Sequence, residues 1–278
     1  MSQITCKPHQ LFNRRLLHMK RRRFCSLPPV HSLEQDVIAT MVERFRGIKR
    51  TFRNILILGE RGEVYQPYFP EADLFLSHHH VIYDDEWLPF RSQTFDLIIS
   101  HLSWHWVNDL PGVLAQVQDI LKPDGLVMAA LFGGESLWQL RYCLQEAEQQ
   151  LSQGISPRIA PMISPADGAD LLLRAGFALP VADHDHVTLY YEKFEELVDD
   201  LRCYGQTNIL YHQHKGIPSK NLFHLTDKIY QHHFKIDGQL PIAVNIIYLT
   251  GWRPSPTQPQ PLCRGSATVK LSHILATS

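Results

Sequence analysis

The residues with the most chemical capacity in this sequence are its 16 histidines, several of which stand close to carboxylates. His101 and His105 are four apart, a spacing that puts both imidazoles on one face if the segment is helical. His184-Asp185-His186 and His212-x-His214 each hold the raw material of a two-histidine, one-carboxylate iron site. A His-x-His pair on a strand also points both rings to one face for no reason beyond the pleat, so packed or hydrogen-bonded histidines are the first reading and no metal site is expected. The run His78-His79-His80 reads as surface composition. Trp104, Trp106 and Trp138 suit either an aromatic wall or a core, and Arg141 either a substrate carboxylate or a neighbouring acid.

Other chemistries drop out. Five cysteines (Cys6, Cys25, Cys143, Cys203, Cys263) are scattered with no C-x-x-C spacing, which excludes a zinc site or redox pair and fits a reduced, cytoplasm-like compartment. No G-x-S-x-G elbow and no G-x-x-x-x-G-K-[ST] loop occurs, so hydrolase and nucleotidase readings fail. No catalytic residue can be assigned from these signals.

The elements that position these residues alternate. Residues 33–47 place Val37, Met41, Val42 and Phe45 at helical spacing before Gly47. Residues 54–59, 95–100 and 126–132 are short runs apolar on both faces, as in strands of a helix-covered parallel sheet. Residues 108–121 carry Leu110, Val113, Leu114, Val117 and Leu121 on one face, then stop at Lys122-Pro123-Asp124-Gly125. Helices are expected at 136–151 and 164–175, strands near 177–183 and 187–191, helices with loops over 192–235, and a late strand at 242–252. The alternation predicts an α/β fold with a doubly wound, mostly parallel sheet and a helical insert before the last strand.

The chain has 278 residues, 44% of them hydrophobic and 20% charged, which excludes disorder and disulfide miniproteins. Its longest uninterrupted apolar run, Leu126 to Phe132, is far short of a membrane span. A net charge of −1 argues against a surface built to neutralise nucleic acid. The first 23 residues nevertheless hold seven basic groups, among them Arg14, Arg21, Arg22 and Arg23, and no acid. That stretch lacks the apolar core of a secretory leader. It suits a solvated helix face, a docking surface for an acidic partner or a short mitochondrial presequence.

Several segments together resemble a known family: Leu88-Pro89-Phe90, Thr94 to Leu97, Leu102-Ser103 followed by His105-Trp106-Val107-Asn108-Asp109-Leu110-Pro111, Leu121 to Gly125, and Phe132-Gly133-Gly134. Phe12-Asn13-Arg14, Ser156 to Pro161, Arg174 to Phe177 and Arg264 to Val269 extend the likeness over nearly the whole chain. The pattern resembles class I S-adenosylmethionine methyltransferases of a Rossmann-like fold. Within them it is similar to the proteobacterial and mitochondrial branch known for respiratory complex I assembly and protein arginine hydroxylation, with the malonyl-carrier-protein methyltransferase of biotin synthesis a relative in fold.

The resemblance implies a basic segment and leading helix over 1–50, a methyltransferase-like domain over 51–252 with the insert 192–235, and a Pro-rich linker and tail over 253–278. It implies S-adenosylmethionine as cofactor at Gly59, Gly62, Asp84, Asp85, Ser100 and His101, with Asp84 closing a third strand and reaching the adenine. It implies a protein substrate near His105, Trp106, Asn108, Asp109 and Arg141, a complex I subunit as partner, no nucleic acid, and at most peripheral contact with a membrane. The location it implies is the cytoplasm in a bacterium or the mitochondrial matrix in a eukaryote. The chemistry implied is methyl transfer or arginine hydroxylation, with a non-catalytic assembly factor as the alternative. That alternative rests on a departure at the first strand's turn. Ile57 stands where the family has an acid, and Glu60, Arg61 and Glu63 crowd a turn that is otherwise glycine-rich. Glu71 and Asp73 are the remaining candidates for the ribose acid, so weak cofactor binding is expected.

Overall fold

The computed structural model describes residues 10–24, 32–59, 61–76, 84–152, 154–203, 205–213, 216, 218–259, 264–266 and 269. The expected His78–His80 run and His214 lie outside them, as do Cys6, Cys25, Cys263, Ala267 and Thr268.

Two helices, α1 (Arg14–Phe24) and α2 (Ser32–Arg46), precede the first strand, β1 (Asn54–Leu58). There follow β2 (Asp73–Leu76), β3 (Phe95–His101), α3 (Leu110–Ile120), β4 (Leu121–Phe132), α4 (Trp138–Ser152), α5 (Pro165–Arg174), β5 (Ala178–Tyr191), α6 (Phe194–Cys203), α7 (Lys220–Phe234) and β6 (Leu240–Trp252). The sheet order is β2-β1-β3-β4-β6-β5. The first four strands run parallel, while β6 is antiparallel to both its neighbours. Alternating side chains divide between two cores. Ile55, Ile57, Leu97 and Ile99 pack with Leu33, Val37 and Met41 of α2 and with α4 and α7. Leu56, Leu58, Ile98 and Val127 pack with Val113, Leu114 and Val117 of α3 and Leu172 of α5.

Local chemistry sets the element ends. Asp109 caps α3, its side chain accepting from the Gly112 N–H, with Pro111 inside the first turn. Ser164 and Asp167 form a capping box on α5. Two expectations change in detail. Lys122 to Gly125 does not lie outside the fourth strand but bulges within it, the register stepping from Phe95↔Leu121 to Leu97↔Leu126 with Asp124 at φ 60°. The two strands expected at 177–191 are one, because its ladder with β6 runs through His184, Asp185 and His186.

Candidate functional site

In open α/β sheets the ligand side is the carboxyl end of the strands where the order reverses, here between β1 and β3. Gly59 ends β1 at φ 108°, and a Cβ there would collide with the backbone carbonyl of His101 at the end of β3. The glycine thus lets the two strand ends close on each other. Gly62 opens a 3₁₀ turn (Gly62–Tyr68) packed on the sheet, where a Cβ would come 2.9 Å from Ile57 Cγ2.

That turn delivers Tyr65, fully buried, to His101. The Tyr65 hydroxyl lies 2.9 Å from His101 Nδ1, and His101 Nε2 lies 3.3 Å from Glu34 Oε1, at the start of α2. Since the carboxylate only accepts, Nε2 carries the proton and Nδ1 accepts from the phenol. Arg61, at φ 58°, completes the chain by donating to Glu34 Oε2 at 3.1 Å. Burial first, and the Glu34 charge next, push the Tyr65 phenol far above its usual range, so it remains a neutral donor. Ser100 points to the other face of the sheet, buried, and its hydroxyl has no hydrogen-bond partner among the described residues.

A second cluster adjoins the first through Ser103, whose Cβ lies 3.4 Å from the position of a Cβ on Gly59 and whose hydroxyl donates to Asp85 Oδ2. Asp85 is fully buried beside Asp84. Arg14 of α1 donates to Asp84 Oδ1 from Nε (3.0 Å) and NH2 (2.5 Å), and to the Trp106 carbonyl from NH1 (3.0 Å). Its NH2 is 3.7 Å from Asp85 and its Nε is 4.0 Å from Glu86. His18 Nε2 approaches Asp84 Oδ2 at 3.4 Å. Burial alone would raise the Asp84 pKa; hydrogen bonds from His18 and Arg14, together with the Arg14 charge, outweigh it and hold the carboxyl well below the usual range. Asn108 fastens the same strap, accepting from the Phe12 N–H at 2.7 Å and donating to the Phe12 carbonyl and to Glu86.

The structure brings Gly59, Gly62, Asp84, Asp85, Ser100, His101, His105, Trp106 and Asn108 into one contiguous region, but its geometry differs from expectation. Among the described residues, the strand after β1 is β2, which ends at Leu76; Asp84 stands in a turn and closes no described strand. His101 and His105 share no helix: one ends β3, the other lies in a short 3₁₀ turn (Trp104–Trp106). His105 Nε2 donates to Gln206 Oε1 at 3.0 Å, and its ring meets Phe132 edge-on at 5.0 Å. Trp104 and Trp106 are buried while Trp138 is exposed, so the three do not form one wall. Asp109 is occupied as the α3 cap, and Arg141 NH2 donates to the Ala160 carbonyl at 3.3 Å rather than to an acid. No group of three or more histidines, cysteines or acids able to hold a metal occurs among the described residues.

Sequence reasoning missed Glu34, Tyr65, His18 and Gln206. Each is an ordinary residue on a helix or turn, with no local signal that tertiary folding makes it a partner of His101, Asp84 or His105.

The residues present do not fit S-adenosylmethionine in this arrangement. The strand ends that would receive its methionine portion are filled by Tyr65 and His101, both satisfied by protein groups, and Asp84 is engaged by Arg14. Ile57 is buried and apolar where an acid is needed. Asp73 pairs with Asn54 at the amino end of β1, the wrong end of the sheet, and Glu71 lines a cavity there with Arg46 and Arg50.

Comparison with known proteins places this geometry. The solved structure of a Bacillus halodurans protein described as a candidate methyltransferase superposes with a TM-score of 0.51 at 15% identity, covering 78% of this chain and 98% of that one. The fold is that of a methyltransferase. Within this methyltransferase fold, residues 69–129 match the methyltransferase-domain family. The mitochondrial arginine hydroxylase NDUFAF5 of Homo sapiens is 40% identical over 195 residues, 70% of this chain and 56% of that protein. The malonyl-[acyl-carrier protein] O-methyltransferase of a Methylovorus strain is 30% identical over 180 residues, 65% of this chain and 58% of that one. The chain therefore spans a little over half the length of these curated relatives. No helix among its described residues is long and apolar enough to cross a membrane.

Proposed function

We propose that this chain acts on a protein substrate during the assembly of respiratory complex I, with an arginine side chain as target. The observation that supports this reading most directly is the 40% identity to a protein named arginine hydroxylase. Of the segment from Trp104 to Asp109, the buried part up to Val107 is a scaffold held by His105 on Gln206, and only Asn108, fixed on the Phe12 backbone, and Asp109 reach the surface where a substrate could meet them. S-adenosylmethionine is the cofactor to test, and its entry requires Tyr65 and His101 to give way. The cytoplasm of a bacterium or the matrix of a mitochondrion, with at most peripheral contact with a membrane, is the compartment that goes with this role.

A second reading is favoured by the strand ends themselves. With Tyr65, His101, Glu34 and Arg61 satisfying one another where a cofactor would bind, the chain would assist assembly by binding its client without group transfer. Peptide mass spectrometry of complex I subunits from cells with and without the chain separates the two. Loss of a hydroxyl or methyl increment on one arginine supports the enzyme; unchanged masses with defective assembly support the binding factor. Unchanged masses and normal assembly defeat both.

A further inference from the structure

The helices between β5 and β6 enclose a space that the proposed reaction does not use. Between α4, α6 and α7 lies a cavity of about 330 Å³, walled by Leu140, Leu144, Phe194, Val198, Leu201 and Phe223. Three cations reach it: Lys20 of α1, Arg158 and Arg202. Two of them are already neutralised by acids outside the lining, Arg158 by Glu148 at 2.5 Å and Arg202 by Asp199 at 2.7 Å. Lys20 has no such acid among the described residues; its Nζ donates to the Asn208 carbonyl at 2.6 Å. Among the described residues, the lining therefore carries one positive charge without an acid partner beside an apolar chamber.

We propose that this cavity binds a monoanionic amphiphile, an aliphatic carboxylate whose head group pairs with Lys20 and whose tail lies along Leu144, Val198 and Phe223. The volume lies in the range of sites that enclose a small ligand. Leu201 and Gln206 line both this cavity and an apolar space of only about 20 Å³ reaching Phe132, so the chamber closes at these two residues. Burial lowers the Lys20 pKa, the sign of an ammonium short of solvent that gains from a carboxylate partner. A guanidinium substrate is the wrong charge for this lining, so the site is separate from any arginine-modifying one. Gln206 also accepts from His105, so a tail at this closed end contacts the residue that orients the recognition segment.

Isothermal titration of the full chain with dodecanoate, kept below its micelle threshold, tests the proposal. Dodecanoate should bind saturably with a dissociation constant in the range of about 1–50 μM, and dodecyltrimethylammonium at least about tenfold more weakly. Lys20→Gln should weaken dodecanoate about tenfold while leaving dodecanol unchanged, and Val198→Trp, which fills the chamber, should abolish binding of both. Lys20→Met, with thermal melting as the folding control, guards against an effect of the glutamine itself. Equal affinity for the carboxylate and the ammonium, or unaltered dodecanoate binding in both Lys20 variants, would overturn the proposal. So would binding to phosphatidylglycerol vesicles with none to monomeric dodecanoate. None of these results depends on whether an arginine is modified.

Discussion

Arg14 donates through Nε and NH2 to the same oxygen of Asp84, 70 positions further along the chain, and through NH1 to the backbone of Trp106. One guanidinium thereby joins the first helix to the turn before β3 and to the segment expected to meet substrate.

Removing that guanidinium takes two hydrogen bonds from Asp84 and a cation 3.7 Å away from the fully buried Asp85. Breaking a buried ion pair from one side costs about 3 kcal/mol or more. Arg14→Met should therefore lower urea-unfolding stability by about that amount and expose α1 to limited proteolysis. A variant as stable as the parent would show that α1 is not held through this residue.

Acid should loosen the same contact. The Asp84 carboxyl lies below its ordinary value of 3.8 in the folded chain, so its stabilisation is complete above that value and is lost as pH falls through the lower, folded one. Asp84→Asn should reduce the steepness of acid unfolding below about pH 4 while lowering stability at pH 7. Parallel stability–pH curves for the two proteins would contradict this. Asp96 and Glu148, also depressed, supply the residual slope.

Cofactor affinity follows from the filled strand ends. A cofactor denied two or three hydrogen bonds there, at about 1–3 kcal/mol each, binds weaker by two orders of magnitude or more. Isothermal titration with S-adenosylmethionine should show a dissociation constant weaker than the micromolar range. A low-micromolar value would mean that Tyr65 and His101 move aside readily.

Tyr65→Phe removes one buried hydrogen bond and leaves His101 Nδ1 unsatisfied, a loss of about 1–3 kcal/mol. Thermal melting should register it, and no change would indicate that the phenol contributes only its ring.

Cys143 is fully buried, and burial pushes its thiol up to about 12. Iodoacetamide at pH 8 should leave it unmodified in the native chain and alkylate it in urea, as peptide mapping will show. Native labelling comparable to that in urea would contradict its burial.

Much of the sheet was legible because runs such as Asn54 to Leu58 and Phe95 to His101 are apolar on both faces, and because Asp109 and Ser164 announce helix starts chemically. The bulge at Lys122–Gly125 was not, since Pro and Gly stop a helix and bend a strand with the same residues. The site was legible as a set of residues but not as an arrangement. His101 and Asp84 were named, yet what each touches is decided by Glu34, Tyr65 and His18, which arrive from other elements and carry no pattern of their own, and by Arg14, whose Phe12-Asn13-Arg14 segment was noted without its partner.

The position of β6 between β4 and β5 has a consequence for biosynthesis. Until residues 240–252 leave the ribosome, β4 and the 14-residue β5 each present an unpaired hydrogen-bonding edge, and neither can find the other. The nascent chain is therefore most prone to mispairing in the interval after β5 has emerged and before β6 has, and β6 acts as the bolt that closes one edge of each neighbour at once.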